Sequence, residues 1–295
     1  MAELIDGKMV SFRLRDELRE KLELLNQRHS IRLKLATLLV GNDPASQIYI
    51  KNKINACSQI GVESVHIGLS SDISERDLIE KIEELNKRED IDGILVQLPL
   101  PQHIDAERII SAISPQKDVD GFHPYNQGIL LTAKSYKSLI DSHTPIPCTP
   151  YGCMKLLEYY KIGLASKRAV ILGRSNIVGK PLAILMLLQD ATVTICHSRT
   201  NDSRSIIRDA DIVVCATGRR GLVNGDMIKE GAVVIDVGIN RGEDGKIYGD
   251  ADFVSVKEKA SYITPVPGGV GPMTITMLMY NTFTLGLKRR GISDL

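Results

Sequence analysis

No two cysteines in the chain have Cys-x-x-Cys spacing, and their total of five is odd. That excludes a zinc site of the usual spacing and a disulfide framework. Cys196 and Cys215 sit in apolar, strand-like runs, where cysteine serves as a small core residue. A reducing compartment, the cytoplasm, is the expected setting. Charge of one sign is also lacking. The formal net charge is +1, which gives no electrostatic case for nucleic acid or an anionic membrane. Lys288-Arg289-Arg290 is the only short basic cluster, and at a helix end it suits solvent and the helix dipole. No apolar run reaches the roughly 18 residues that would suggest a membrane span. The opening MAELIDGKMVSFRLRDEL carries acids early and no apolar block, so neither a secretory signal nor a transit peptide is expected. Internal repeats and low-complexity segments are absent as well.

What is present is globular: 295 residues, 43% hydrophobic and 25% charged. That length suits two domains of ordinary size. Apolar, strand-like runs alternate with helical periodicity from end to end. The pattern predicts an α/β protein with βαβ units and mainly parallel sheets. The proline-punctuated DSHTPIPCTP, residues 141–150, marks the boundary between the domains.

The first half is organised around GNDPASQIYIKNKINAC, residues 41–57. It follows an apolar strand, Leu33 to Val40. Asp43 is a good helix N-cap and Pro44 fits the first helical position. Tyr49 and Lys53 are four apart and therefore share one helix face. Ligands of open α/β sheets bind outside the carboxyl ends of strands. An aromatic ring and an amine at that place suit stacking on a planar substrate and moving a proton; equally, the pair suits ordinary packing and solvation. A second buried run, Ile91 to Gln97, ends on a glutamine and is stopped by LPLP. The parallel arrangement brings Gln97 near Lys53. The loop SPQKDVDG then holds Asp118 and Asp120. Acids there cap or bend the backbone, or grip an amidine-like N–C–NH₂ edge through paired hydrogen bonds.

In the second half, RAVIL (168–172) runs into GRSNIVGKP and a helix beginning near Gly179. Strand, glycine turn and helix N-terminus make a phosphate site. The spacing is not G-x-G-x-x-G, because Arg174 and Ser175 follow Gly173. The next strand ends in His197-Ser198-Arg199, with no acid before Asp202. A hydroxyl and a cation there, with Arg174 close by, favour a 2′-phosphate over a free ribose hydroxyl, hence NADP. Asp236 is either a functional acid or a backbone acceptor. Asp244-Gly245 marks a hairpin turn. The loop from Pro265 to Thr274 is rigid and rich in exposed amides, and Pro272 opens a last helix.

The segments VGNDPASQIYIKNK, DGILVQLPLP, PQKDVDGFHPYN, PCTPYGC, GRSNIVGKP, TVTICHSRT and TPVPGGVGPMT, in that order, closely resemble the bifunctional methylenetetrahydrofolate dehydrogenase/cyclohydrolase family. The resemblance covers nearly the whole chain. It implies an N-terminal α/β catalytic domain, residues 1–148, completed by helix 272–295, and a Rossmann-type NADP-binding domain, 149–271, with catalysis in the cleft between them. It implies oxidation of 5,10-methylenetetrahydrofolate by NADP⁺ and hydrolysis of the methenyl product to 10-formyltetrahydrofolate. By position in the motifs, Lys53 is the catalytic lysine, Tyr49 stacks on the folate, Gln97 bonds near Lys53 and Asp118 holds the pterin. Val96 and Leu98 flank that contact, and Pro267, Gly268, Gly269, Val270 and Gly271 line the folate site. Gly173, Arg174, Ser175, Ser198 and Ile239 contact NADP, no metal is implied, and the enzyme is a cytosolic homodimer. A monofunctional NADP-dependent dehydrogenase and a non-catalytic dinucleotide sensor are the competing expectations.

Overall fold

The computed structural model describes residues 1–292, and Ser293 to Leu295 of the expected closing helix lie outside the described residues. In chain order the elements begin β1 (Glu3–Leu4), α1 (Gly7–His29), β2 (Lys34–Val40), α2 (Pro44–Ile60), β3 (Glu63–Leu69) and α3 (Glu75–Lys87). They continue β4 (Gly93–Val96), α4 (Ala106–Ala112), α5 (Pro124–Thr132), α6 (Tyr136–Asp141), α7 (Cys148–Tyr159), β5 (Arg168–Leu172) and α8 (Gly179–Leu187). The chain finishes β6 (Thr192–Cys196), α9 (Ser203–Arg208), β7 (Ile212–Cys215), β8 (Val233–Asp236), β9 (Asn240–Arg241), β10 (Ile247–Tyr248), α10 (Phe253–Lys259), β11 (Tyr262–Ile263) and α11 (Val270–Arg289). Two compact units result. One comprises residues 13–129, 140–146 and the described residues from 275 onward, the other 1–12, 130–139 and 147–274.

The first unit carries a parallel sheet of order β3-β2-β4. Strand β2 is buried along nearly its whole length, as a central parallel strand covered on both faces requires. Its core joins Leu38, Val40, Ile94 and Val96 to Leu78, Ile82 and Leu85 of α3. Helix α3 is capped as its sequence suggests: Ser74 Oγ accepts from the Asp77 N–H at 3.1 Å. From Ile275 onward α11 belongs to this unit. Asn281 Nδ2 donates to the carbonyls of Val119 and Ile146, each at 2.8 Å. Arg290 Nη1 reaches the fully buried Asp92 at 2.5 Å. The expected return of the last helix to the catalytic domain is therefore observed.

The other unit carries a six-stranded parallel sheet of order β1-β11-β8-β7-β5-β6. Leu172 pairs with both Cys196 and Cys215, and Cys215 with Asp236. The carboxyl ends of β6, β5, β7 and β8 therefore stand level along one edge. β1 joins this sheet beside β11. Residues 1–12 and 130–139 thus cluster with the unit that carries the six-stranded sheet. All five cysteines are free and buried, and no helix among the described residues is long and apolar enough to cross a membrane.

Candidate functional site

Helix α2 begins as its sequence dictates. Asp43 is extended, with φ −60° and ψ 121°, and its carboxylate accepts from the Ser46 N–H at 2.8 Å, with Pro44 in the first turn. The cap fixes where the helix starts, and so which residues face the sheet. Lys53 falls on the inner side and is only 8% exposed. Tyr49, one turn earlier, is 38% exposed. An ammonium this buried needs acceptors, and Lys53 Nζ donates to Gln97 Oε1 at 3.0 Å. Gln97 follows β4, where its N–H donates to the Leu38 carbonyl at 2.9 Å and extends the ladder by one residue. Its Nε2 donates to the Leu98 carbonyl at 2.6 Å. That bond fixes the amide so that its oxygen faces Lys53. Val96 is buried and Leu98 half-buried on either side.

The structure gives Asp118 a different task from the one expected of it. Asp118 bridges to Ile94 beside β4, and only 2% of it is exposed. Its Oδ1 accepts from the N–H groups of Gly121 (3.0 Å) and Phe122 (3.3 Å). Its Oδ2 accepts from the His123 N–H and Asn126 Nδ2, both at 2.9 Å. With both oxygens doubly used, this carboxylate fastens its own loop and has no acceptor capacity left for a ligand. Lys117 fastens the same loop on its other side: its buried Nζ donates to the carbonyls of Leu85, Asn86 and Arg88 at the end of α3.

Asp120 is the acid that this double anchoring presents. It has no hydrogen-bond or ion-pair partner among the described residues. Burial pushes its carboxyl up to about 6, against the opposing pull of the Lys53 charge and with a further push from Asp118. A half-buried acid near a buried lysine, raised by burial and left unpaired, is suited to accept hydrogen bonds from a ligand. Sequence placed Asp120 in the loop but did not single it out. Pro267 to Gly271, also expected to line the substrate site, belong to the other unit, where the Gly268 carbonyl accepts from the Lys8 N–H at 3.0 Å.

The nucleotide site lies on the six-stranded sheet. Gly173 follows β5 with φ +122°, a region that side chains avoid. A Cβ there would also run into the Ala216 carbonyl. The turn therefore stays open to a close approach of phosphate. Ser175 Oγ accepts from the N–H groups of Val178 (3.2 Å) and Gly179 (3.4 Å), so its hydroxyl caps the start of α8. Arg174, Ser198 and Arg199 are exposed at the ends of β5 and β6. Neither arginine side chain has an anionic partner among the described residues. No acid stands at the end of β6 to meet a ribose hydroxyl. Ile239, after β8, is 50% exposed. A turn without room for a side chain and two uncommitted guanidinium groups fit a dinucleotide bearing a 2′-phosphate. Asp236 is a backbone acceptor, the second of the two expectations for it: it takes the N–H groups of Gly238, Asp250 and Ala251.

Comparison with known proteins covers the same two regions. The catalytic-domain model of the tetrahydrofolate dehydrogenase/cyclohydrolase family matches residues 5–120, and that family's NAD(P)-binding-domain model matches residues 147–290. The bifunctional protein FolD of Magnetococcus marinus is 53% identical over 289 residues, 98% of each chain. The crystal structure of the bifunctional FolD dehydrogenase/cyclohydrolase from Campylobacter jejuni is 47% identical with a TM-score of 0.92, covering 98% of this chain and 100% of that one. The Trypanosoma brucei dehydrogenase-cyclohydrolase, solved with NADP cofactor and inhibitor, is 39% identical with a TM-score of 0.90 over 99% of both chains.

Proposed function

Since the chain belongs to the tetrahydrofolate dehydrogenase/cyclohydrolase family, we propose that Lys53 carries the protons of its hydrolytic step and Asp120 holds its substrate. The protein oxidises 5,10-methylenetetrahydrofolate with NADP⁺ and hydrolyses the resulting methenyl cation to 10-formyltetrahydrofolate. NADP⁺, when bound, accepts the hydride from the methylene carbon. The chain's own residues supply the rest. Tyr49 stacks on the pterin, and the ionised Asp120 accepts from its N–C–NH₂ edge. Water adds to the methenyl carbon and loses one proton; the bond from that carbon to N5 then breaks as the remaining hydroxyl loses its proton and becomes the formyl carbonyl, N5 takes a proton, and one proton is released overall. Lys53 moves these protons, while Gln97 holds its amine in position. The observation that carries this reading is the pairing of a buried, glutamine-held lysine with an unpaired acid in one unit. The test is to follow both reactions on one purified sample, NADPH formation and methenyl loss. NADPH formation alone would leave a monofunctional dehydrogenase.

In the same proposal, the unit with Lys53 binds folate through Tyr49, Val96, Gln97, Leu98 and Asp120. The other unit binds NADP through Gly173, Arg174, Ser175, Ser198 and Ile239. Arg174→Ala is expected to raise KM for NADP⁺ roughly tenfold, the usual worth of a charge-assisted bond, and to leave KM for NAD⁺ within about twofold. Equal effects on both cofactors would refute the 2′-phosphate assignment. The free, buried cysteines support a cytosolic setting. A homodimer is the expected assembly, to be checked by light scattering.

A further inference from the structure

Two buried acids in the nucleotide-binding unit have no place in the scheme so far. Asp236 ends β8 and is 3% exposed; Asp250 follows β10 and is fully buried. Among the described residues no cation pairs with either. The Asp236 carboxyl is pushed up to about 6, first by burial and also by Asp250. Core packing alone gives no reason for two acids here, since apolar residues of similar volume would be cheaper.

Their hydrogen bonds show what they hold. Asp236 Oδ1 accepts from the N–H groups of Gly238 (2.9 Å) and Asp250 (3.0 Å), and Oδ2 from that of Ala251 (2.8 Å). Asp250 Oδ2 accepts from the N–H groups of Thr217 (2.5 Å) and Gly218 (2.9 Å) and from Thr217 Oγ1 (2.9 Å). Asp250 Oδ1 accepts from Asn240 Nδ2 at 2.9 Å. The loops after β7 and β8 are thereby tied to one knot. A Cβ on Gly238 would strike the Asp250 carboxylate, and one on Gly249 would strike that of Asp236. The knot is packed too tightly to shift. Gly238 and Asn240, two of the residues bound by it, are the immediate neighbours of Ile239. The apolar side chain between them is left half exposed.

The sheet order says which part of the cofactor lies there. Arg199 of the assigned 2′-phosphate pair stands at β6, Arg174 and the phosphate turn at β5, and β7 and β8 follow in that direction. A dinucleotide laid along this edge puts its nicotinamide end at β7 and β8. We propose that Asp236 and Asp250 are positioning residues that fix Ile239 as a rigid apolar platform under the nicotinamide end of NADP⁺. This rests on the assignment of Ile239 to the cofactor site.

The experiment compares Asp250→Ala, Asn240→Ala and Ile239→Ala in the full-length protein. For each, kcat and KM of NADP⁺ reduction are set beside the rate of methenyl hydrolysis without NADP⁺. For Asp250→Ala, kcat for reduction falls roughly 100-fold, the cost of misplacing reactants by about an ångström. Its KM for NADP⁺ stays within about threefold, because the grip on the 2′-phosphate is untouched, and hydrolysis keeps at least about half its rate. Asn240→Ala removes one bond of the knot without emptying it, and loses roughly tenfold in the same kcat. It decides the matter if Asp250→Ala does not fold. Unchanged kcat in these variants overturns the proposal, and so does a parallel fall of reduction and hydrolysis. Unchanged reduction in Ile239→Ala overturns instead the assignment of Ile239 to the cofactor.

Discussion

Lys53→Met is expected to remove methenyl hydrolysis and spare NADP⁺ binding. Methionine keeps the length and apolar stem of the lysine, so the 8%-exposed position on α2 stays filled. It loses the Nζ that donates to Gln97 Oε1, and with it the amine assigned to carry protons in the hydrolytic step. Positioned acid–base catalysis is worth about 10²–10⁴-fold, and hydrolysis should fall by that much. Reduction of NADP⁺ should fall far less, since hydride transfer itself moves no proton. The Kd for NADP⁺ should stay within about twofold, because Arg174 and Arg199 sit on the other unit's sheet. Methenyl absorbance and a cofactor titration check both halves. Full retained hydrolysis would remove Lys53 from its role. Gln97 offers no substitute, because its amide nitrogen is committed to the Leu98 carbonyl and its oxygen cannot take up a proton at neutral pH.

Much of this site was legible because it follows local rules. A strand, an Asp cap and a proline start α2, and a four-residue spacing then puts Tyr49 and Lys53 on one face. A parallel sheet brings Gln97 to the same edge as α2. The two acids of the 114–121 loop follow no such rule. They stand two residues apart in one turn-rich segment, and which of them turns inward depends on where residues 121–126 place their N–H groups. Those groups converge on Asp118 and leave Asp120 without a hydrogen-bond partner among the described residues. β1 was illegible for another reason. Two residues carry no period, and their partner β11 lies some 260 positions away. Helices α5, α6, α9 and α10 span only six to nine residues each, too short for a helical period to stand out. Asp250 belongs to the same class as Asp118, since its donors come from two other segments, Thr217-Gly218 after β7 and Asn240 after β8.

Asp120→Asn is expected to weaken folate binding and strengthen the fold at the same time. As a carboxylate, Asp120 accepts two hydrogen bonds with charge assistance; an asparagine accepts with one oxygen and turns a donor toward the pterin. The folate KM should rise roughly 100-fold. In the wild type the same interaction is lost in acid. The carboxyl titrates near 6, so kcat/KM for folate should drop about tenfold per pH unit below that value. Stability runs the other way. Burial raises the folded-state value from the usual 3.8 to about 6, so the folded protein holds this proton more tightly than the unfolded chain. The stability that this adds is fully present below 3.8 and lost as pH rises through about 6. At about 1.4 kcal/mol per pH unit the loss amounts to about 3 kcal/mol at most. Asparagine does not ionise and escapes it. Melting curves of the two proteins should therefore converge near pH 4 and separate by pH 8, with the variant higher. A variant that melts lower at pH 8, or a folate KM unchanged in it, would show that Asp120 is an ordinary loop acid. On the proposed role, the wild type accepts a less stable fold at neutral pH in exchange for an ionised, unpaired oxygen pair that can hold the substrate.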